Sequence, residues 1–578
     1  MTITRRAMIA LAAGAAAPPR FTSAASPKSV WWQEAVFYEI YPRSFQDGNG
    51  DGIGDFIGMS DRVDYLADLG VDAIWVAACF DSPNADNGYD VSDYRKIMPD
   101  FGRMRDFDNF LERAKKRGIR VILDMVFNHT SDKHSWFMKS SSSKDSFYRD
   151  FYHWHDGRDG TAPTNWRSAF GGPAWTLDSR TNQYYLHTFT NRQPDLNWEN
   201  PRVRSELYAI LKFWSDKGVD GFRFDAITSI AKPLELYDLS AQDIAAGRSF
   251  ADRGERLHAH LRDMSAHCNA DSRLYFVGET WGADRNLFVE LTQADRHELS
   301  AGFPFDFQMK DIEDGWRKLP CKLSDLRAFN AGNAFDDKLG VWPVVWLEDH
   351  DFPRSVSRYG SQTPEFRSRS AKMLAMMLLS LRGTPFLYQG QEIGMENYPF
   401  TSIDQFNDVT AHNVWSEQVG GHHVTAADML VNLAATTRDN ARTPMQWDTT
   451  RNAGFSTGTP WMLVNPDYRT INVAAQIDDR NSVFGFYKAM IRTRKTQPAL
   501  VHGKYRDVSP DNGAIYAFRR EHPAGDTLTI MNFSDSPEMF RIPQGVKPAR
   551  VLIANMPERS IVEPSLTLEP WEGMIIAV

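Results

Sequence analysis

The spacing of apolar runs is the strongest constraint on how this chain folds. Residues 36–41, 73–76 and 121–126 are short, β-branched and aromatic, and helix-like stretches over 61–69 and 107–117 separate them, stopping at Gly70 and Gly118. Strands that are apolar at nearly every position are buried on both faces, and helices between them make the strands run parallel. The alternation resumes with a helix over 203–216, a strand over 219–225 and a late strand over 384–390. Between residues 131 and 200 it fails. That stretch carries Ser140 to Ser143, Asp156-Gly157-Arg158-Asp159-Gly160 and Phe170-Gly171-Gly172-Pro173, and reads as an inserted, loop-rich subdomain. Beyond residue 495, alternating runs such as 527–531 and 565–568 predict an antiparallel β domain. With 578 residues the chain exceeds an ordinary domain of ~150, although a closed α/β unit absorbs about 250 by itself. The expected units are a parallel α/β body over 30–130 and 201–495, the insertion over 131–200 and a β domain over 496–578.

The first 25 residues stand outside this pattern. Arg5-Arg6 precedes a short, Ala-rich apolar run over 9–13, then small residues and Pro18-Pro19. The run is too short for a bilayer, which takes about 20 residues, and paired arginines before a weakly apolar segment are the layout of a twin-arginine export signal. A periplasmic or secreted protein without a membrane anchor is expected, with cleavage near Ala17 or Ala25. Lys and Arg number 65 against 74 Asp and Glu, a net charge of −9 that argues against a nucleic-acid or anionic-membrane partner. Three cysteines cannot build a disulfide framework, and Cys79 lies in an apolar run as a buried thiol would.

Four acids sit at the ends of expected parallel strands: Asp124, Asp225, Glu279 and Asp351. One such acid is ordinarily a helix cap or a loop carboxylate. Four at strand ends, three of them close to Arg or His, mark the catalytic face of an α/β fold. Carboxylate clusters serve divalent-metal phosphoryl transfer or glycoside cleavage. Arg223 precedes Asp225 by two residues and shares its strand face, where it is expected to keep Asp225 ionised as a nucleophile requires. Glu279 follows an apolar strand and precedes Trp281, surroundings expected to raise its pKa as a proton donor requires. The asymmetry favours glycoside chemistry.

Gly221-Phe222-Arg223-Phe224-Asp225-Ala226, Val277-Gly278-Glu279-Thr280, Asp349-His350-Asp351 and Asp124-Met125-Val126-Phe127-Asn128-His129 resemble the four signature regions of the α-amylase family, glycoside hydrolase family 13. Ile40-Tyr41-Pro42-Arg43-Ser44-Phe45, Asp86-Asn87-Gly88-Tyr89-Asp90 and the 438–447 run from Arg438 to Trp447 resemble its oligo-1,6-glucosidase and α-glucosidase branch. The resemblance implies an α/β fold, a (β/α)8 TIM barrel with the inserted subdomain after strand three and a C-terminal antiparallel β-sandwich. It implies a retaining, exo-acting, monomeric α-glucosidase that removes terminal glucose from a short oligosaccharide. By it, Asp225 is the nucleophile, Glu279 the acid/base and Asp351 the group that holds sugar hydroxyls. Asp86, Tyr89, His129, Phe170, Arg223, His350 and Arg438 then surround the terminal glucose. A retaining pair of carboxyls lies roughly 5–5.5 Å apart.

The 47–55 run, Asp47-Gly48-Asn49-Gly50-Asp51-Gly52-Ile53-Gly54-Asp55, offers oxygens at alternate positions, although position twelve is Gly58 where an EF-hand places a bidentate Glu. A turn with side-chain caps has the same composition. The resemblance implies a structural Ca²⁺, or Mg²⁺, held by Asp47, Asn49, Asp51, the Ile53 carbonyl and Asp55.

Two positions depart from the family pattern. Asp349 replaces the usual Asn before His-Asp, and an added carboxylate there is expected to raise the pKa of Asp351 or to alter a hydrogen bond. Ala226 follows the nucleophile where α-1,6-preferring members carry Val, so α-1,4 or broad specificity is expected, with transglucosylation as a side reaction. Sucrose isomerases, which make isomaltulose or trehalulose, share these motifs. Their Arg-Leu-Asp-Arg-Asp loop has no match in Phe307-Gln308-Met309-Lys310-Asp311, and they tend to have Phe at the position of Trp281. A non-catalytic, glucosidase-like scaffold is the remaining alternative, and it normally carries a membrane anchor and a damaged triad.

Overall fold

The computed structural model describes residues 30–245, 248–252, 254–305, 310–335, 337–556, 559 and 565–578. The expected export signal lies outside these residues, as does most of 307–311. Eight parallel strands make the central sheet: β1 (Phe37–Ile40), β2 (Ala73–Val76), β3 (Arg120–Val126), β4 (Gly221–Asp225), β5 (Tyr275–Glu279), β6 (Ala301–Phe303), β7 (Val344–Val345) and β8 (Thr384–Tyr388). Their order is β6-β5-β4-β3-β2-β1-β8-β7, and a parallel bridge from Gly302 to Pro343 closes β6 onto β7. The expected (β/α)8 barrel is therefore present.

Period-two geometry explains why the barrel is apolar below and charged above. Phe37, Ala73, Trp75, Ile122, Tyr275, Val277, Phe303, Trp346 and Phe386 fill one interior core, with the Phe37 and Phe386 rings stacked at 4.4 Å. One step further along the same inward faces come Glu39, Asp124, Arg223, Asp225 and Glu279. The intervening residues, among them Tyr38, Ile40, Ile74, Leu123 and Phe222, face outward into the core shared with the helices. Gly70 and Gly118 sit at the helix ends with φ of 97° and 74°, in the left-handed region that favours glycine.

The helix expected over 61–69 belongs to a broken pair, Phe56–Asp61 and Val63–Leu69. The break falls at Arg62, whose guanidinium bonds Gln46 Oε1 and lies 3.9 Å from the Trp447 ring centre. Between β3 and β4 a three-stranded antiparallel sheet forms from Trp154–His155, Trp175–Asp178 and Gln183–Leu186. After β8 the chain makes a helical excursion, Val409–Gln418 and Ala426–Thr436, packed with Trp316, Phe400, Phe406 and Met462 in a separate apolar cluster.

The C-terminal part is an antiparallel sandwich. A five-stranded sheet, beginning with Lys504–Asp507 and Ile515–Glu521, faces a two-stranded one, Glu538–Arg541 with Ser565–Leu568, across Ile515, Leu528, Ile530, Phe540, Leu568 and Ile576. Two buried arginines tie it to the barrel. Arg494, in the helix Val483–Thr496, donates to the carbonyls of Leu379, Leu381, Gly383 and Leu500. Arg520 donates to those of Ser380, Leu500, Val501 and Gly503.

Candidate active site

A cavity of about 600 Å³ opens beside the C-terminal ends of the barrel strands. Asp86, Tyr89, His129, Phe170, Asp225, Glu279, Asp351 and Arg438 all line it. Arg223 and His350, also expected at the site, lie one layer behind and act through the groups they hold.

Arg223 organises the floor. It is 2% exposed, and its Nη1 donates to Asp225 Oδ1 at 2.8 Å and to Asp124 Oδ1 at 3.0 Å. Its Nη2 lies 3.0 Å from Glu279 Oε2. One guanidinium thus carries both Asp225 and Glu279, neighbours brought together by the parallel pairing of β4 with β5. Glu279 Oε2 also accepts the Ala226 backbone N–H at 2.7 Å. Arg223 pairs with Asp225 and lowers its pKa, as expected, but it does not set the outcome. Burial outweighs the guanidinium and pushes the Asp225 carboxyl up to about 6. Burial also pushes Glu279 up to about 7, opposed by Arg223 and reinforced by Asp225. Both carboxyls are therefore raised, Asp225 to about 6 and Glu279 to about 7, and each bears on the other's ionisation. Trp281 is 43% exposed and lines the cavity, so the indole is a wall more than a cover for Glu279.

A second cluster surrounds Asp351, which lies six residues past β7 in a turn. His350 Nδ1 contacts Glu39 Oε1 at 2.6 Å, and its Nε2 lies 3.2 Å from Asp351 Oδ2 and 2.6 Å from the Tyr89 hydroxyl. The His350 ring is sandwiched between Tyr89 and Tyr41, with centroids at 5.3 and 5.9 Å and planes within 8°. Arg442 Nη2 reaches Asp351 Oδ1 at 2.6 Å, and Arg438 Nη1 reaches the same oxygen at 3.4 Å. Burial alone would raise the pKa of Asp351, but His350, Arg438 and Arg442 together hold it well below the usual carboxylate range. Of the two effects expected of Asp349, a raised Asp351 pKa is corrected, because these three cations dominate; Asp349 instead accepts the Asp351 N–H at 2.8 Å and is itself pushed well above that range by burial and by Glu39.

The far wall is polar. Asp86 Oδ2 accepts from Gln193 Nε2 at 3.1 Å, and the same amide lies 3.1 Å from His129 Nε2. The Arg438 guanidinium sits 5.3 Å from the Phe170 ring centre, and Phe170 meets Phe189 edge to face at 5.4 Å. Arg438 is anchored by Asp408, at 2.6 Å.

Glu39, Gln193, Asp408 and Arg442 were not among the expected site residues, and Asp124 was noted only as an acid. Alternation along residues 36–41 puts Glu39 on the inward face, a signal present in the sequence; Gln193 and Asp408 lie in loops with no periodicity to place them.

The 47–55 loop is held by its own caps. Asp47 accepts the N–H groups of Asn49, Gly50 and Gly52 and the Ser456 hydroxyl, while Asp51 accepts from Ile53 N and Asn49 Nδ2. Asp55 Oδ1 accepts from Gly48 and Gly58, but its Oδ2 is buried without a partner. Burial raises the Asp55 pKa, with Asp47 and Asp51 adding to the rise. Among the described residues no group of three or more His, Cys, Asp or Glu side chains forms a metal cage. An orphaned carboxylate oxygen within an all-oxygen donor set nonetheless fits a hard cation.

Comparison with known proteins agrees with this geometry. The model of the α-amylase catalytic domain matches residues 39–503. An oligo-1,6-glucosidase of Parageobacillus thermoglucosidasius is 44% identical over 557 residues, covering 95% of this chain and 99% of the relative. An α-glucosidase of Pediococcus pentosaceus is 41% identical over 553 residues, covering 94% and 98%. The crystal structure of the trehalulose synthase MutB from Pseudomonas mesoacidophila MX-45 superposes with a TM-score of 0.93 at 44% identity, covering 95% of this chain and all of that one. The chain belongs to the α-amylase family and is a glycoside hydrolase of its oligo-1,6-glucosidase and α-glucosidase branch.

Proposed function

We propose that the protein is a retaining, exo-acting α-glucosidase that acts on short oligosaccharides. The observation that carries this reading is the single Arg223 guanidinium shared by Asp225 and Glu279, two carboxyls that burial raises to about 6 and about 7. Sharing one guanidinium keeps the two groups close, as the roughly 5–5.5 Å separation of a retaining pair requires.

The ionised Asp225 carboxylate attacks the anomeric carbon, and a glycosyl–oxygen bond forms as the bond to the leaving oxygen breaks. Glu279 gives its proton to that oxygen, and the shortened sugar departs. Glu279, now ionised, takes a proton from water; the hydroxide oxygen bonds to the anomeric carbon and Asp225 leaves as carboxylate. Arg223 stabilises the negative charge that passes between the two. Asp351, kept ionised by His350, Arg438 and Arg442, accepts hydrogen bonds from ring hydroxyls and favours the oxocarbenium-like transition state. Asp86, Tyr89, His129 and Phe170 enclose the terminal glucose. Ala226 leaves room for an α-1,4 neighbour, giving α-1,4 or broad linkage use, and a sugar hydroxyl competing with water gives transglucosylation.

Likeness to a trehalulose synthase as high as to the glucosidases supports a second reading, sucrose isomerisation, and one MutB variant has been crystallised with sucrose. Residues 307–311 and Trp281 argue against it. Product analysis after separate incubation with maltose, isomaltose and sucrose discriminates: glucose from the first two supports the glucosidase, and isomaltulose or trehalulose from sucrose supports the isomerase. No helix among the described residues is long and apolar enough to cross a membrane. We read residues 1–25 as a twin-arginine signal for a periplasmic or secreted monomer. The 47–55 loop, with Asp47, Asn49, Asp51, the Ile53 carbonyl and Asp55, is read as a structural Ca²⁺ site (Mg²⁺ is the other candidate ion) that adds rigidity and takes no part in bond cleavage.

A further inference from the structure

Asp349 differs from the other acids around His350 in having no cation of its own. It is 4% exposed, and its Oδ1 accepts the Asp351 backbone N–H at 2.8 Å. Glu39 from β1 and His350 and Asp351 from its own turn act on it electrostatically, the two acids against its ionised form and His350 for it. His350 is already engaged on both ring nitrogens, by Glu39 and by Asp351 and Tyr89. The arginines of the adjoining segment pair with other acids, Arg442 with Asp351 and Arg438 with Asp408 and Asp351, and the buried Arg442 Nη1 has no hydrogen-bond partner among the described residues, Asp349 included. Among the described residues no guanidinium or ammonium group forms an ion pair with Asp349. An ionised carboxylate there would be a third negative charge in a buried array whose cations pair with other acids, an arrangement a low-dielectric site disfavours. The neutral acid, by contrast, presents one carbonyl oxygen and one O–H and so offers the acceptor that an asparagine amide would offer.

We propose that Asp349 is a positioning residue that keeps its proton in the working enzyme. Its carbonyl oxygen fixes the Asp351 N–H, and the retained hydrogen keeps a third charge away from Glu39 and Asp351. A protonated aspartic acid thereby fills a role that an asparagine amide could fill. The inference rests on the reading of Asp351 given under the proposed function, because it is Asp351's orientation that Asp349 serves.

Three measurements test it. Infrared difference spectroscopy of the wild-type enzyme near neutral pH should show a carboxylic C=O band that disappears in Asp349→Asn; a wild-type spectrum without that band overturns the proposal. Asp349→Ala should lower kcat about tenfold with little change in KM, the effect of leaving one buried N–H without its acceptor. Asp349→Asn should restore most of that loss, since a neutral acceptor suffices. If Asn is as slow as Ala, or if Ala is as fast as the wild type, the positioning role is wrong. Asp351→Asn is measured separately: full activity there removes the reading of Asp351, while the infrared band still reports the state of Asp349.

Discussion

The backbone N–H of Ala226 donates to Glu279 Oε2 at 2.7 Å. Residue 226 directly follows Asp225 and has φ of 42°, in the left-handed region, so the turn that ends β4 aims its amide across to the end of β5. The residue after the expected nucleophile therefore also steadies the expected acid/base, and it lines the cavity.

Replacing Ala226 by Val is expected to move preference from α-1,4 toward α-1,6 linkages. The maltose-to-isomaltose ratio of kcat/KM should fall about tenfold, the scale of one or two methyl groups in a sugar pocket. A β-branched residue at positive φ should also cost on the order of 1 kcal/mol of stability. An unchanged ratio would remove Ala226 as the specificity determinant.

Asp225→Asn should abolish turnover by roughly 10⁴-fold or more while the thermal transition stays cooperative. The amide cannot form the glycosyl ester, but it preserves the shape of the Arg223 contact. Near-normal activity on an aryl α-glucoside would refute the nucleophile assignment.

The pH dependence follows from Asp225 near 6 and Glu279 near 7. Activity needs the first ionised and the second protonated, so kcat/KM should trace a narrow bell whose limbs belong to the coupled pair. Stability runs differently. Both carboxyls are raised by folding, so their contribution is fully present below their unfolded pKa values and is lost as pH climbs through 6 and 7. Asp351 is depressed, so its contribution holds above its unfolded pKa and is lost in acid. A broad kcat/KM plateau through neutrality, or a thermal midpoint in Glu279→Gln that declines as steeply as the wild type's over this window, would contradict the assignment.

Chelation tests the 47–55 loop. If a cation engages Asp55 Oδ2 and its neighbours, removing it should lower the thermal midpoint, by an amount equivalent to about 2.7 kcal/mol for an ion present at a hundred times its Kd. Added Ca²⁺ should restore the midpoint, and kcat at low temperature should not change. A midpoint indifferent to both treatments would leave the loop as a capped turn.

Strand-borne features were legible because alternation along a strand has one physical meaning. Asp225 and Glu279 follow from it, and so does Glu39, although the weight of Val36, Phe37 and Ile40 around it made that stretch read as plain core. The Asp351 cluster was only half legible. His350 adjoins Asp351 in sequence, but Arg442, Asp408 and Gln193 come from loops and short helices whose approach is set by tertiary packing. Electrostatics was least legible: Arg223 lies beside Asp225 as spacing demands, yet burial, which no local pattern measures, decides its pKa. The break at Arg62 likewise depends on Gln46 and Trp447, far apart along the chain.

Arg494 and Arg520 meet at the Leu500 carbonyl; Arg494 spreads its other donors over the barrel carbonyls of Leu379, Leu381 and Gly383, and Arg520 reaches across to that of Ser380. Neither guanidinium has water to fall back on, since both are fully buried. Peeling the C-terminal sheet away would draw Arg520 off the Ser380 and Leu500 carbonyls, leaving buried acceptors on the barrel side without their donor. The sandwich is thus less an appendage than a keystone. A barrel severed at its edge would inherit a defect in its own interior, and the two parts are bound to survive, or to melt, together.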